Sequence, residues 1–325
     1  MPVQLAGGRP NEDYPKRASI RIGLINNMPD AALRATERQF LTLLGAAAGG
    51  LTVDLFLFAL PGVPRTESGR RHVSRLYSGI NDLWDSELDA LIVTGTEPRA
   101  ASLTEEPYWE SLTTVLDWAQ HNTQSAIWSC LAAHAAVLHF DGISRRRLCE
   151  KRFGVFDCRC VSDDPLTAQV PSCFGVPHSR WNDIPGDELA DYGYRVLTRD
   201  KEGGVDAFVK QQKSLFVFFQ GHPEYEANTL LREYRRDVES FLGGERETYP
   251  SLPQGYFDRN TTDVLSSFED RSLRNPGRDQ IAGFPAIQAK SGVGERWRSA
   301  AIQLYRNWLM YVCAHKEQLP VGCRV

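Results

Sequence analysis

Two segments about ninety residues apart carry the side chains most able to do covalent chemistry. Ala126–Leu138 opens as an apolar strand, Ala126-Ile127-Trp128-Ser129, and passes through Cys130 into an alanine-rich helix. Leu215–Tyr225 opens as a buried-type strand and ends in Gly221-His222-Pro223-Glu224. A thiolate nucleophile, its base and a carboxylate that orients the base are the parts of a Cys-dependent acyl transfer. A thiol at a helix start sits near the positive end of the helix dipole, which favours the thiolate. Ala132 and Ala133 let the strand-to-helix turn tighten, and backbone N–H groups at such an elbow can donate to an oxyanion. Plainer readings exist: Cys130 as a small buried hydrophobe, His222 as a structural histidine capping its strand. Gly221, which permits close approach, Pro223, which stiffens the exit, and Glu224 favour catalysis. His134 and His139, on the helix after Cys130, read as packing or surface residues.

These groups need a scaffold of strands. Ile20–Ile25 reads as a first strand, Asn26–Asp30 as a turn and 31–47 as an amphipathic helix with Leu33, Phe40, Leu41, Leu43 and Leu44 on its apolar face. Leu51–Leu60 and Leu91–Val93 read as further strands, the latter opening into the loop Gly95–Arg99. A helix over 108–121 leads into the strand before Cys130. This alternation predicts an α/β fold, a mostly parallel sheet flanked by helices, with sites at the carboxyl ends of the strands. Residues 150–210 have short, less periodic strands and predict an inserted or antiparallel portion. The expected organisation is a loose leader over 1–18 and a single domain over 19–325. That domain would include a loop region at 243–295, rich in Gly, Pro, Asn, Asp and Ser, and a closing helix at 296–315.

The 325 residues are 42% hydrophobic and 24% charged with a net charge of −4, ordinary for a globular enzyme with a sizeable core. No basic tract suggests nucleic acid, and Ser144-Arg145-Arg146-Arg147 reads as a short solvated turn. No apolar run reaches the roughly 18 residues of a membrane helix, and 1–21 lack the apolar centre of a signal peptide, so a cytoplasmic protein is expected. Seven cysteines at irregular spacing argue against a disulfide framework. Cys158-Arg159-Cys160 has no second ligand pair nearby, so no metal is expected.

Cys130 with its flanks, Gly221-His222-Pro223-Glu224-Tyr225, Pro177-His178-Ser179-Arg180, Lys151-Arg152-Phe153-Gly154-Val155-Phe156, Glu233-Tyr234-Arg235-Arg236-Asp237 and Trp297-Arg298-Ser299 together resemble the homoserine O-succinyltransferase family of methionine biosynthesis, from about Ile20 to Ala314. The resemblance implies a flavodoxin-like fold similar to class I glutamine amidotransferases. It implies acyl transfer from coenzyme A to the hydroxyl of L-homoserine through a thioester on Cys130, with His222 as base and Glu224 orienting it. Lys151, Ser179 and Arg236 match positions that contact substrate, Arg236 holding the amino-acid carboxylate. The resemblance further implies a homodimer and no cofactor, the acyl-CoA being a substrate.

The chain departs from the family pattern in three places. A Lys that helps stabilise the oxyanion is missing after Asn26-Asn27-Met28-Pro29, where backbone N–H groups or Arg34 would have to serve. Leu131-Ala132-Ala133-His134 stands where the family commonly has Trp-Gly-Ala-Gln. Arg99 falls at the acyl-donor specificity position. It could pair with a succinyl carboxylate, favouring succinyl-CoA, or point to solvent or to coenzyme A phosphates. Acetyl-CoA as donor, serine as acceptor, a glutamine amidotransferase and a non-catalytic relative remain the alternatives; serine stays open because one methylene in a pocket is worth only about 1–3 kcal/mol.

Overall fold

The computed structural model describes residues 3–6, 19–286 and 295–316. Strands run over Val3–Leu5 (β1), Ile20–Ile25 (β2), Val53–Phe58 (β3), Ala90–Val93 (β4), Ser125–Ser129 (β5), Arg146–Cys160 (β6), Cys173–Asp183 (β7), Arg195–Val196 (β8), Thr198–Asp200 (β9), Ala207–Gln211 (β10) and Leu215–Phe219 (β11). Helices run over Asp30–Ala47 (α1), Glu67–Leu76 (α2), Asn81–Trp84 (α3), Trp109–Asn122 (α4), Leu131–Asp141 (α5), Thr229–Leu242 (α6), Arg259–Arg274 (α7) and Glu295–Lys316 (α8).

The main sheet has the order β1-β3-β2-β4-β5-β11-β10-β8, parallel from β1 to β11, with β10 and β8 antiparallel at one edge. Every residue of β2, β3, β4, β5 and β11 is buried, which is why their sequences are near-continuous apolar runs rather than alternations. One face packs on α4 and α5 around Trp128, Phe216 and Phe218. The other packs on α1 and α8 around Phe40, Tyr305 and Trp308, and Trp308 Nε1 donates to Ser125 Oγ at 2.9 Å. The expected antiparallel portion is a second sheet, β7-β6-β9. It stands over the carboxyl ends of the main strands, where His222 N donates to Pro177 O of β7 at 2.8 Å.

Two expectations about organisation need correction. Within 1–18, Val3–Leu5 pairs in parallel with Val53–Leu55, so part of the supposed leader extends the sheet; 1–2 and 7–18 lie outside the described residues. The loop region over 243–295 contains α7, capped by Asp258, which accepts from Thr261 N at 2.8 Å. α7 buries Leu265 and Phe268 against Tyr234 of α6, but two large apolar anchors among so many polar residues make a faint signal. Residues 287–294 lie outside the described residues. The closing helix stands as expected in α8.

Candidate active site

Strand register brings the reactive groups together. β5 and β11 are parallel neighbours with Ser129 opposite Phe219, and Cys130 N donates to Phe219 O at 2.7 Å. Cys130 is the first residue past β5, and His222 the third past β11. Cys130 has φ 52° and ψ −116°, one of two non-glycine residues with positive φ among those described. Such a backbone costs about 1–3 kcal/mol and holds only where the surroundings enforce it. Here the Phe219 carbonyl grips the residue from the sheet, and α5 begins at once on its other side. Ala132, Ala133, Ala135 and Ala136 are all buried, so the first turns of α5 lie close against the sheet. Gly95, at the end of β4, approaches so near that a β-carbon there would lie 2.8 Å from Leu131 N. The elbow is thus flanked by two backbone segments able to face a developing oxyanion.

His222 and Glu224 are both buried, and His222 Nδ1 lies 2.8 Å from Glu224 Oε1. Cys130 acts on the same ring, and with Nδ1 facing Glu224 the nitrogen left to meet sulfur is Nε2. Burial on its own pulls the His222 pKa down, but Glu224 and the Cys130 charge outweigh it and hold the imidazole well above its ordinary value. Tyr225 stacks on the ring at 4.3 Å between centroids, with its hydroxyl donating to Glu233 at 2.5 Å and its carbonyl accepting from Trp297 Nε1 at 2.8 Å. The arrangement can generate a thiolate–imidazolium pair whose ring cannot swing away.

Sequence reasoning did not find what supports the histidine. Asp206, buried just before β10, accepts from Gly221 N at 3.1 Å and from Thr198 Oγ1 at 3.0 Å, and burial pushes its pKa up to about 6. A β-carbon on Gly221 would sit 2.7 Å from Asp206 Oδ1 and collide with Val176 Cγ1. Gly221→Ala is therefore expected to displace His222 and to destabilise the protein by about 1–3 kcal/mol through overpacking. A urea midpoint and turnover rate both equal to wild type would contradict that tight seat.

Cys130, His222 and Glu224 line one cleft of about 590 Å³, and Lys151, Ser179 and Arg236 line it as well. Lys151 Nζ donates to Asp237 Oδ2 at 2.9 Å. Arg236 presents a half-exposed guanidinium 3.5 Å from Asp237 Oδ1, with Glu233 and Asp237 holding its pKa up against burial. Two expected residues do not reach the cleft. Arg34 is exposed, while Ala31, Ala32 and Ala35 form that wall. Arg99 is also exposed and outside the lining: its backbone N–H and that of Ala100 donate to buried Glu106 at 2.6 and 2.8 Å, which fixes the loop with the side chain outward. The Asn26-Asn27 segment is a brace, Asn27 bonding Thr94 and Leu60, rather than a source of catalytic groups. Conversely, Arg145 and Arg147, read as a solvated turn, line the cleft, and so does His134, read as a packing or surface residue.

The model of the family described as homoserine O-succinyltransferase matches residues 13–319. A homoserine O-succinyltransferase of Rhodopseudomonas palustris is 53% identical over 293 residues, covering 90% of this chain and 87% of that one. One of Methylorubrum extorquens is 46% identical, covering 92% and 88%. Among solved structures, a glutamine amidotransferase of Thermotoga maritima superposes with a TM-score of 0.49 at 14% identity, covering 90% of this chain and 98% of that one.

Proposed function

The chain belongs to the homoserine O-succinyltransferase family, and from that premise we propose how its cleft moves a succinyl group from succinyl-CoA to the hydroxyl of L-homoserine. The observation that carries the mechanism is the placement of one imidazole between a thiol and a buried carboxylate at the floor of the cleft. In the first half, Cys130 Sγ attacks the thioester carbonyl while its proton resides on His222 Nε2. The new C–S bond replaces the bond to coenzyme A, and the departing thiolate takes that proton. In the second half, His222 accepts the proton of the homoserine hydroxyl as its oxygen attacks the Cys130 thioester. The C–O bond forms, the C–S bond breaks, and the sulfur returns to its pair with the imidazolium. Each half passes through an oxyanion for which the Leu131 and Gly95 N–H groups are the proposed donors. They take the place of the absent lysine.

The acceptor is proposed to lie along α6. Arg236 offers a forked cation for its carboxylate. Glu233 Oε2, buried without a hydrogen-bond partner, offers an acceptor for its ammonium. Lys151, tied to Asp237 of α6, and Ser179 from β7 line the same cleft.

Thiol release from succinyl-CoA and acetyl-CoA, each with homoserine and with serine, tests the reading. The succinyl-CoA and homoserine pair is expected to be fastest, with the parallel double-reciprocal lines of a ping-pong enzyme. Silence with all four pairs would remove it.

A further inference from the structure

Beside Cys130 stand a cation and a histidine that the mechanism above does not use. Arg145 lines the cleft close enough to feel the Cys130 charge, and its Nη1 is buried with no hydrogen-bond partner. Its neighbour Arg146 turns the other way and pairs with Glu188 at 2.6 Å. Glu106, whose field also reaches Arg145, accepts the Arg99 and Ala100 N–H groups on Oε1 and makes no ion pair with Arg145 within 4.0 Å. His134 is 3% exposed, lines the same cleft and leaves both ring nitrogens without a partner. Gln220 beside it accepts from Ile184 N and donates one amide N–H to Val205 O. His134 lies in the first turn of α5, its N–H donating to the Cys130 carbonyl at 3.3 Å. Burial, with Arg180 and Arg145 nearby, pulls the His134 pKa down to about 3, so the ring is neutral and keeps one N–H to donate.

An unpaired guanidinium and an idle imidazole facing a cleft form a site for an anion, since buried polar groups left unmet are costly. The chemistry at Cys130 supplies one in the same cleft. A succinyl group held there as a thioester carries its free carboxylate about 4 Å beyond the carbonyl carbon, judged from ordinary C–C bond lengths. We propose that Arg145, with the buried ring of His134 beside it, receives the free carboxylate of the acyl group on Cys130 and so selects succinyl-CoA over uncharged donors. The inference rests on the succinyl transfer proposed above and moves donor selection from Arg99, outside the cleft, to Arg145, which lines it. Arg147, exposed and set 4.6 Å over the Trp181 ring, stays at the rim.

The test compares succinyl-CoA with butyryl-CoA, in which a methyl replaces the carboxylate, on wild type, Arg145→Gln, Arg145→Lys and Arg99→Ala. The readouts are acyl-enzyme mass and kcat/KM. Losing a hydrogen-bonded ion pair to the donor should cost Arg145→Gln about 10–100-fold with succinyl-CoA and leave butyryl-CoA within about threefold. Arg145→Lys, which keeps the charge but not the fork, should lower the succinyl-to-butyryl ratio by about tenfold, and it carries the test if the Gln variant does not fold. Arg99→Ala should keep the wild-type ratio. Equal losses on both donors would make Arg145 a support of the elbow or the oxyanion and overturn the proposal, and so would an unchanged ratio in both Arg145 variants. A wild type active with homoserine but indifferent to the donor carboxylate overturns this inference alone. A wild type inert with succinyl-CoA overturns the proposed function and this inference with it.

Discussion

Cys130→Ala is expected to lose at least about 10⁴-fold of the succinyl transfer rate, because removing a covalent nucleophile abolishes both halves of the reaction. Wild type incubated with succinyl-CoA and no homoserine should gain the mass of one succinyl group, and the variant should gain none. The same residue makes a second, thermodynamic claim. At φ 52° and ψ −116° any β-carbon is strained, so Cys130→Gly is expected to be more stable than Cys130→Ala by about 1 kcal/mol. Cys130 is also the N-cap of α5, a position where glycine is preferred to alanine, so capping adds to the same order. Urea unfolding of the two variants measures the difference. If Cys130→Ala were the more stable, the elbow would be an ordinary turn. An adduct on the alanine variant would move the nucleophile to another thiol.

What the sequence made legible is what a sheet buried on both faces imposes. β2, β4, β5 and β11 appear as mostly apolar runs, β2 broken only by Arg21 and β5 by its terminal serines, and Cys130 and His222 sit just past two of them. The pairing of Cys130 with His222 was readable for the same reason, since adjacent parallel strands end at one level. Less was readable where polar residues do the positioning. α2 buries only Gly69 along its length, so no apolar stripe marks it. Asp206 acts through the backbone N–H of Gly221, and a contact of that kind leaves no pattern in side-chain type. The three consecutive arginines do carry a usable signal. Leading into β6, successive side chains alternate sides, so Arg145 and Arg147 share the face opposite Arg146, and only a composition-level view calls all three solvated. Arg99 shows the complementary failure. Counting along a loop finds the position, but the direction of the side chain is set by Glu106, seven residues on, capturing the loop backbone.

The second large effect is expected at Glu224. Glu224→Gln keeps the size of the side chain and should still lower turnover by about 10²–10⁴-fold, because the amide can bond Nδ1 from either end. A carboxylate can only accept, so it forces the proton onto Nδ1 and leaves Nε2 to serve Cys130; an amide that donates to Nδ1 fixes the opposite tautomer. Charge adds to this. Burial alone would discharge the ring, and Glu224 leads the groups that hold its pKa up. Because the folded pKa lies above the unfolded value near 6.5, His222 contributes stability that is fully present below that pH and is lost as pH rises through the folded pKa. Removing the Glu224 charge lowers the folded pKa, so the Gln variant should lose stability relative to wild type most at pH below 6.5, and the gap should narrow toward alkaline pH. Urea unfolding across that range reads the sign directly. Glu224 Oε2 is buried with no hydrogen-bond partner, a cost the fold carries to keep an undivided negative charge against the ring. A gap that widened with pH, or a Gln variant with wild-type turnover, would mean that the imidazole is oriented by the Tyr225 stack alone, on a backbone held by the Pro177 carbonyl, with the carboxylate a bystander.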